Sequence, residues 1–517
     1  MTVRVRYAPS PTGSPHVGNI RDALFKHLLA KHHKGVNILR IEDTDRTRYI
    51  EGAERDIMES LHWMGIQWTE GPDVGGPHGP YRQSERKEAG IYAHWINVLL
   101  ERGLAYKAFD TSQELEEMRE YQQINKQPVG YFGGVWRDAT PEAVEKAEKE
   151  GKPFVIRQRI PRNETVVIHD FIRGRIEWDT NTVDDPVLIK ADGMPTYHFA
   201  AMVDDHLMEI THIIRGEEWI SSAPKHALLF DAFGWERPVF VHCPVIKGKD
   251  GKKLSKRHGD TRCLDYRAAG YMPEALANFI ALIGWSPGED REILSMDELA
   301  EAFDLGGLQP SPGVFDIDKL RWMNGNYIRA LSPEALTATV KQYLTVPDIE
   351  EYFTRIPEGA DAPIDAAMPA AVALMREAFE KTPELAATAL LLEQPRVTTL
   401  SEFATACMFF FQEEPPFDEK AVEKWFGQPH VGPMIEHFQK WSSGLQAATL
   451  EDCEKAVRDY AEANSFDKMG PVVHPIRVAL TGKTVGPGLF ELMSALGPQV
   501  MAKRFQRALG RIAKANV

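Results

Sequence analysis

Residues 3–19, VRVRYAPSPTGSPHVGN, open the chain and set the reading of its fold. Val3, Val5 and Tyr7 alternate with Arg4 and Arg6 in the period-two pattern of a strand, and the Pro- and Gly-rich run from Ala8 to Pro15 ends it. A helical pattern follows from about Val17 to Lys34, and residues 38–45, ILRIEDTD, supply a second apolar strand. The result is a β-loop-α-β unit. Helical signal resumes over Glu54 to Met64, and Arg86 to Glu101 reads as one amphipathic helix ending at Gly103.

Further along, the character changes from about Tyr106 to Leu188, where charged helical sequence (TPEAVEKAEKEGK) precedes the strand-like FVIRQRIP, ETVVIHDFI and GRIEWDT. This stretch reads as an inserted domain. A second α/β stretch begins near Pro195, with a helix at HFAAMVDDHL, the strand EITHIIRG, a helix from Ser222 to Phe233 and the strand PVFVHCPV. The Gly- and Lys-rich KGKDGKKLSKRHGD, residues 247–260, is a surface loop. After Leu264 the pattern is helical almost throughout, with Pro-rich connectors such as QPSPG and EEPPF, and no internal repeat is present.

Composition bounds the function. The chain has 517 residues, 43% hydrophobic and 26% charged, which predicts a soluble protein of several domains. No apolar run is long enough to span a bilayer and the N-terminus lacks the apolar segment of a signal peptide, so a cytoplasmic location is expected. The four cysteines, Cys243, Cys263, Cys407 and Cys453, have no C-x-x-C spacing, so free thiols are expected and no structural zinc. A formal charge of −15 argues against a nucleic-acid partner only weakly, because an acidic exterior can coexist with one basic face.

Two short motifs carry chemistry. His16-Val17-Gly18-Asn19 sits where a strand has ended and a helix begins, a place whose free N–H groups and dipole suit a triphosphate, with His16 as a further donor and Gly18 permitting close approach. Its bland reading is a histidine capping a helix. Lys253-Leu254-Ser255-Lys256-Arg257 puts two lysines three residues apart in a loop, able to neutralise charge that builds on an attacked phosphate; its bland reading is a solvated basic loop.

Together, one in each half of a split α/β domain, the two motifs resemble the HIGH and KMSKS signatures of class I aminoacyl-tRNA synthetases, with Asn19 and the KLSKR form as departures seen in the glutamate and glutamine branch. APSPTGSPHVGN, RIEDTDRTR, EGPDVGGPHGPYRQSER, PTYHFAAMVDDHLM, RGEEW, KLRWMNGNYIR and VALTGKTVGPGLFELM resemble bacterial-type glutamyl-tRNA synthetases and extend from Ala8 to Met493. The resemblance implies a Rossmann-like catalytic domain (1–106 and 191–264) split by an α+β insertion that binds the acceptor end (107–190). A helical stem-contact domain (265–330) and an all-α anticodon-binding region (331–517) would follow.

A carboxylate side chain calls for a guanidinium that holds it with two parallel hydrogen bonds, and an ammonium for a carboxylate or hydroxyl. Arg6 and Arg215, both at strand ends, match family ligands of the glutamate side of the pocket; Tyr197 matches a further substrate contact, Ser10 and Glu42 match positions that hold the amino group, and Ala8 lies beside them. Ala201 departs from a branch that carries asparagine there, so that contact passes to water or another residue. For ATP the resemblance implies Glu218, Trp219, the backbone at Val245 and Ile246, and the signature residues His16, Gly18, Lys253, Ser255 and Lys256; Trp219 reads equally well as a core residue. Magnesium is expected only with ATP.

The implied reaction forms glutamyl-adenylate and transfers glutamate to the 3′-terminal adenosine of tRNA(Glu), with His16, Asn19, Lys253 and Lys256 catalytic and activation waiting for the tRNA. Glutaminyl-tRNA synthetase, with β-barrel anticodon domains, does not fit the helical tail. The rivals are a silent tRNA-binding paralogue, which should lack His16, Lys256 or Arg215, and a nucleotidyltransferase of the superfamily, which would leave the pocket arginines unexplained. In the tail, Arg504, Arg507, Arg511 and Lys514 recur at helical spacing as a basic face beside Phe505, Leu509 and Ile512, a solvated face being the cautious reading. In QPRVTTLSEF, Gln394, near Arg396, stands where discriminating relatives carry an arginine that probes the anticodon, so charging of tRNA(Gln) is the alternative. A monomer is expected.

Overall fold

A computed structural model of the chain describes residues 2–45, 47–254, 262–288, 290–347, 349–355 and 367–515. They form two compact units, Met1–Leu264 with Leu276–Ile317, and Asp265–Ala275 with Asp318–Val517, so that residues 265–330 are shared between the two.

In the first unit, strand β1 (Arg4–Tyr7) runs parallel to β2 (Val36–Leu39), with Arg6 opposite Ile38, and the crossover is the helix Val17–His32. β3 (Ala105–Ala108), β4 (Val155–Gln158) and β7 (Val187–Ile189) form a separate antiparallel sheet. β5 (Thr165–Asp170) and β6 (Gly174–Asp179) form a hairpin whose Asp170 meets Phe240 of β9 (Val239–Cys243). β9 in turn lies parallel to β8 (His212–Gly216), with Arg215 opposite His242. The Thr211 N–H donates to the Arg4 carbonyl at 2.9 Å and the Arg4 N–H to Thr211 Oγ1 at 2.9 Å, which ties the start of β8 to β1.

Sequence pattern explains these placements. Ile213 and Ile214 are both fully buried, so β8 is covered on both faces at its centre. β5 alternates instead, turning Val166, Ile168 and Asp170 inward together. The helix Tyr197–Leu207 is buried from Phe199 to Asp205, taking Ala201 into the core with Met202 and Phe230. One expectation fails: the single helix over Arg86–Glu101 is two, Gln83–Glu88 and Ile91–Glu101, separated at Gly90 with φ +77°. A left-handed residue ends the first helix, and glycine adopts that conformation without the Cβ penalty.

Helices of the second unit pack around one core that includes Phe403, Phe426, Phe438 and Phe505. Its last helix, Leu489–Ala515, is broken at Gly497 (φ 72°) before Pro498. The basic face expected there is not one face. Arg504 is 2% exposed and donates to the carbonyls of Leu480 (2.7 Å), Phe409 (2.6 Å) and Gln412 (2.8 Å), so it joins segments rather than meeting a phosphate. Burial pushes its pKa down to about 10. Arg507 is half-buried, donates to the Pro415 carbonyl at 2.6 Å and lies over the Phe417 ring, while Arg511 pairs with Glu419 at the surface. The Lys514 side chain lies outside the described residues. No described helix is long and apolar enough to cross a membrane.

Arg504→Met should lower the unfolding free energy of the helical unit by about 2–4 kcal/mol, because three buried carbonyls lose a charged donor. Arg511→Met should change it by less than about 1 kcal/mol, as for other exposed pairs. Urea unfolding followed by fluorescence separates the two; equal effects would show that Arg504 does not hold this core.

Candidate active site

Parallel strands leave their carboxyl ends open, and β1 and β8 place Arg6 and Arg215 at such ends. Both arginines are buried, at 3% and 5% exposed. Arg6 Nε donates to Asp205 Oδ1 at 2.8 Å; its side chain makes no other hydrogen bond among the described residues. Asp205 Oδ1 also accepts from Arg40 Nη1 at 2.8 Å, and Arg40 Nη2 donates to Glu42 Oε1 at 2.9 Å. Asp204, next in the same helix, accepts from Arg86 Nε at 2.6 Å, Gln83 Nε2 at 2.9 Å and the Tyr92 hydroxyl at 2.9 Å.

Three arginines and three carboxylates thus share one buried cluster, where unpaired charge would be very costly. Burial pushes the Asp205 carboxyl up, but Arg6 and Arg40 outweigh it and hold it below the ordinary carboxylate range. At Glu42 burial wins over Arg40 and Arg6, and its pKa is raised. The Tyr197 phenol, pushed up by burial, lies within electrostatic reach of Glu42, Arg215, Arg6 and Asp205. Tyr197 is therefore where the two strand-end arginines and Glu42 converge.

Arg215 departs from the expected two-pronged grip. Its Nε donates to His242 Nε2 at 3.0 Å and its Nη1 to His226 Nδ1 at 2.8 Å, leaving Nη2 buried without a hydrogen bond to the protein. The side-on fork of Nε with Nη2 is closed by His242.

At the nucleotide side, His16 is the N-cap of the helix Val17–His32. Its Nδ1 accepts from the N–H groups of Gly18 (3.0 Å) and Asn19 (3.3 Å), and Asn19 Oδ1 accepts from the His16 N–H at 3.3 Å. Those two helix N–H groups are thus already engaged, contrary to the expectation that they face a phosphate. A Cβ at Gly18 would lie 2.9 Å from the His16 ring, so glycine is required by the cap. Because Nδ1 accepts, the neutral ring carries its proton on Nε2. Burial lowers the His16 pKa, Lys253 lowers it further and Glu218 opposes, which places these three side chains around one another.

Lys253 pairs with Lys247 across a short hairpin, where the Leu254 N–H donates to the Ile246 carbonyl at 2.9 Å. Ser255, Lys256 and Arg257 lie outside the described residues. Where the chain is described again, Arg262 bridges to His16 and the Cys263 N–H donates to the Pro15 carbonyl at 3.0 Å. Beyond the undescribed residues the chain thus returns to the His16 motif. The Val245 N–H, expected to meet the nucleotide, donates instead to Glu217 Oε1 at 2.9 Å, and the Ile246 carbonyl is engaged by Leu254. Trp219 is half-buried with its ring 4.5 Å from that of Tyr197, so it borders the pocket and is not a core residue. Glu218 and Ser10 are exposed, and Ala8 is half-buried in the loop after β1.

Gln394 has a structural role, since its Nε2 donates to the carbonyls of Ile328 (2.8 Å) and Leu331 (3.0 Å) at the end of the helix Ile317–Arg329. Arg396, partly exposed, donates to the Leu392 carbonyl at 2.7 Å. Sequence reading missed Arg40, Arg86, Asp204, Asp205, Asp170, His226 and His242. The signal for one pair was visible, since two adjacent aspartates interrupt the apolar run FAAMVDDHLM.

Residues 2–322 match the family of class I tRNA synthetases (E and Q), catalytic domain, and residues 336–509 match an anticodon binding domain. The glutamate–tRNA ligase of Thermus thermophilus is 42% identical over 98% of this chain and 100% of its own length. That of Elusimicrobium minutum is 40% identical, covering 98% of this chain and 99% of its own. A crystal structure of a glutamate tRNA ligase from Elizabethkingia meningosepticum in complex with its amino acid has a TM-score of 0.85 at 36% identity, covering 99% of this chain and 100% of that chain.

Asp205→Asn should destabilise the first unit by about 3–5 kcal/mol by leaving Arg6 and Arg40 short of an anion. The Asp205 pKa is depressed on folding, so its stabilisation is complete above the unfolded value of about 4 and is lost as pH falls through the lower folded value. Unfolding free energies measured from pH 7 downward should therefore converge for wild type and variant. A gap that persists undiminished at the acid end would refute the assignment.

Proposed function

The chain belongs to the class I tRNA synthetases for glutamate and glutamine and, within them, to the glutamate–tRNA ligases, and we propose on that premise how its residues activate L-glutamate with ATP and join it to tRNA(Glu). The observation that carries the reading is the gathering of two buried strand-end arginines, Arg6 linked through Asp205 and Arg40 to Glu42, and Arg215 bound to His226, whose ring lies 5.9 Å from that of Tyr197. Free glutamate brings two carboxylates and one ammonium, and this pocket brings two cations and an anion. Arg6 offers its terminal nitrogens and Arg215 its Nη2 to the carboxylates, while Glu42, with Ser10 in the loop after β1, takes the ammonium.

In the first step a glutamate α-carboxylate oxygen attacks the α-phosphorus of ATP in line, the bond to the bridging oxygen breaks, and pyrophosphate leaves. No protein nucleophile takes part. His16 Nε2–H and the Lys253 ammonium place a donor and a charge where the transition state gains negative charge, with Lys256 as their partner from the loop and Asn19 completing the cap that orients His16. Trp219, its ring tilted against that of Tyr197, and Glu218 border the nucleotide. In the second step the 2′-hydroxyl of the terminal adenosine attacks the activated carbonyl and AMP leaves.

Among the described residues no group of three or more His, Cys, Asp or Glu side chains could hold a metal ion. Mg2+ is proposed to enter as the partner of the ATP phosphates, and no step is routed through it. Residues 107–190 are proposed to receive the acceptor end and the helical unit the anticodon, in a monomer working in the cytoplasm. Charging of tRNA(Gln) as well is the second reading: Gln394, whose amide is engaged with the carbonyls of Ile328 and Leu331, puts no arginine at the position expected to discriminate.

Exchange of pyrophosphate into ATP should depend on glutamate and on added tRNA. His16→Ala and Lys253→Ala should each reduce kcat by about 10²–10³-fold, the usual effect of losing one preorganised donor, without unfolding the chain. Absence of both glutamate-dependent exchange and tRNA charging in the wild type would sink the proposal.

A further inference from the structure

Arg215 is held by a hydrogen-bonded chain that runs through two elements outside β8. His242 of β9 accepts from Arg215 Nε at 3.0 Å, and because its Nε2 accepts, its proton sits on Nδ1, which donates to Asp170 Oδ2 at 2.7 Å. Asp170, at the end of β5, receives only donors: the His242 N–H at 3.0 Å on Oδ2, and the N–H groups of Ile172 (3.1 Å) and Arg173 (2.9 Å) on Oδ1. Four such bonds fix the carboxylate as an acceptor and thereby fix the tautomer of His242. On the other side, His226 Nδ1 accepts from Arg215 Nη1 at 2.8 Å, so its Nε2 carries the proton and donates to His198 Nδ1 at 2.9 Å. Phe240 lies under the guanidinium, 5.7 Å from ring centre to Cζ. Asp170, His226 and His242 are at most 3% exposed, and nothing in the two-step reaction uses them.

We propose that Asp170, His242 and His226 are positioning residues for substrate recognition: two neutral imidazoles clamp Arg215 so that Nη2 alone is presented to a glutamate carboxylate, and the β5–β6 hairpin anchors the clamp. Carboxylate groups in these two places would neutralise the arginine and compete with the substrate. Imidazole acceptors orient it and leave its charge available. The assignment rests on Arg215 being a glutamate ligand.

His242→Phe keeps a planar ring but removes the acceptor, and His242→Gln restores an acceptor near the position of Nε2. In tRNA charging by the full chain, His242→Phe should raise the KM for glutamate about 10–100-fold, the range for one misplaced charged contact, with the KM for ATP changed less than about threefold. His242→Gln should recover most of the loss. Should His242→Phe fail to fold, Asp170→Asn makes the same test. Its amide must oppose backbone or imidazole N–H groups, so it disturbs His242 without removing it, and the same split between glutamate and ATP is expected.

A glutamate KM unchanged in these variants while Arg215→Ala raises it would overturn the clamp and leave the pocket reading intact. An unchanged glutamate KM in Arg215→Ala would overturn the pocket reading itself. A parallel rise in both KM values, or no recovery with Gln, would reduce His242 to a general packing role and also overturn the proposal.

Discussion

Asp205 and Arg40, both fully buried and 2.8 Å apart, are the joint on which the catalytic unit turns. Through them the helix Tyr197–Leu207 is bound to β1 by way of Arg6 and to the strand extension after β2 by way of Glu42. Its neighbour Asp204 reaches Arg86 in the helix Gln83–Glu88 and Tyr92 in the next. Buried ion pairs are weak evidence for stability, since apolar packing of equal volume often holds elements together as well. What apolar packing would not do is aim a guanidinium. With Nε tied to Asp205, the terminal nitrogens of Arg6 remain for a ligand.

The two pocket arginines are held by opposite means. Arg6 faces a carboxylate that neutralises it; Arg215 faces two imidazoles that do not. Burial pulls the Arg215 pKa down, with the Tyr197 hydroxyl and Asp205 opposing, yet a guanidinium stays protonated in any protein, and its charge has no carboxylate among its hydrogen-bond partners. The pocket therefore has one compensated and one uncompensated cation. On the proposed role of Arg215, a neutral amide in place of the substrate carboxylate would leave that charge unrelieved, which would favour an acid over its amide.

Strand ends, the crossover helix and the helical second half were legible because each is written in local periodicity. Partnerships across the fold were not. Asp170 and His242 are separated by 72 residues, and no pattern within either segment marks the other. The tail arginines show the limit in another form. Spacing put Arg504, Arg507 and Arg511 on one helix, but periodicity does not say how far a flank rolls under its neighbours, and Arg504 was turned into carbonyls that only tertiary packing brings there. Gln394 is a similar case: its amide closes the end of another helix, a demand set by backbone groups 66 and 63 residues away.

At His16 the structure shows the helix cap of the bland reading, and that cap also leaves free the donor that the proposed phosphate contact requires. A histidine that caps a helix with Nδ1 must, when neutral, carry its proton on Nε2, and the same cap that engages the first N–H groups of the helix leaves that donor directed away from them. Burial, and after it nearby Lys253, disfavours a second proton on the ring. Gly18 follows from this geometry: a side chain there would strike the imidazole at 2.9 Å and release the cap, and with it the direction of the Nε2–H. The spacing of the motif is thus the spacing of a helix cap, and the proposed phosphate contact would take its orientation from it.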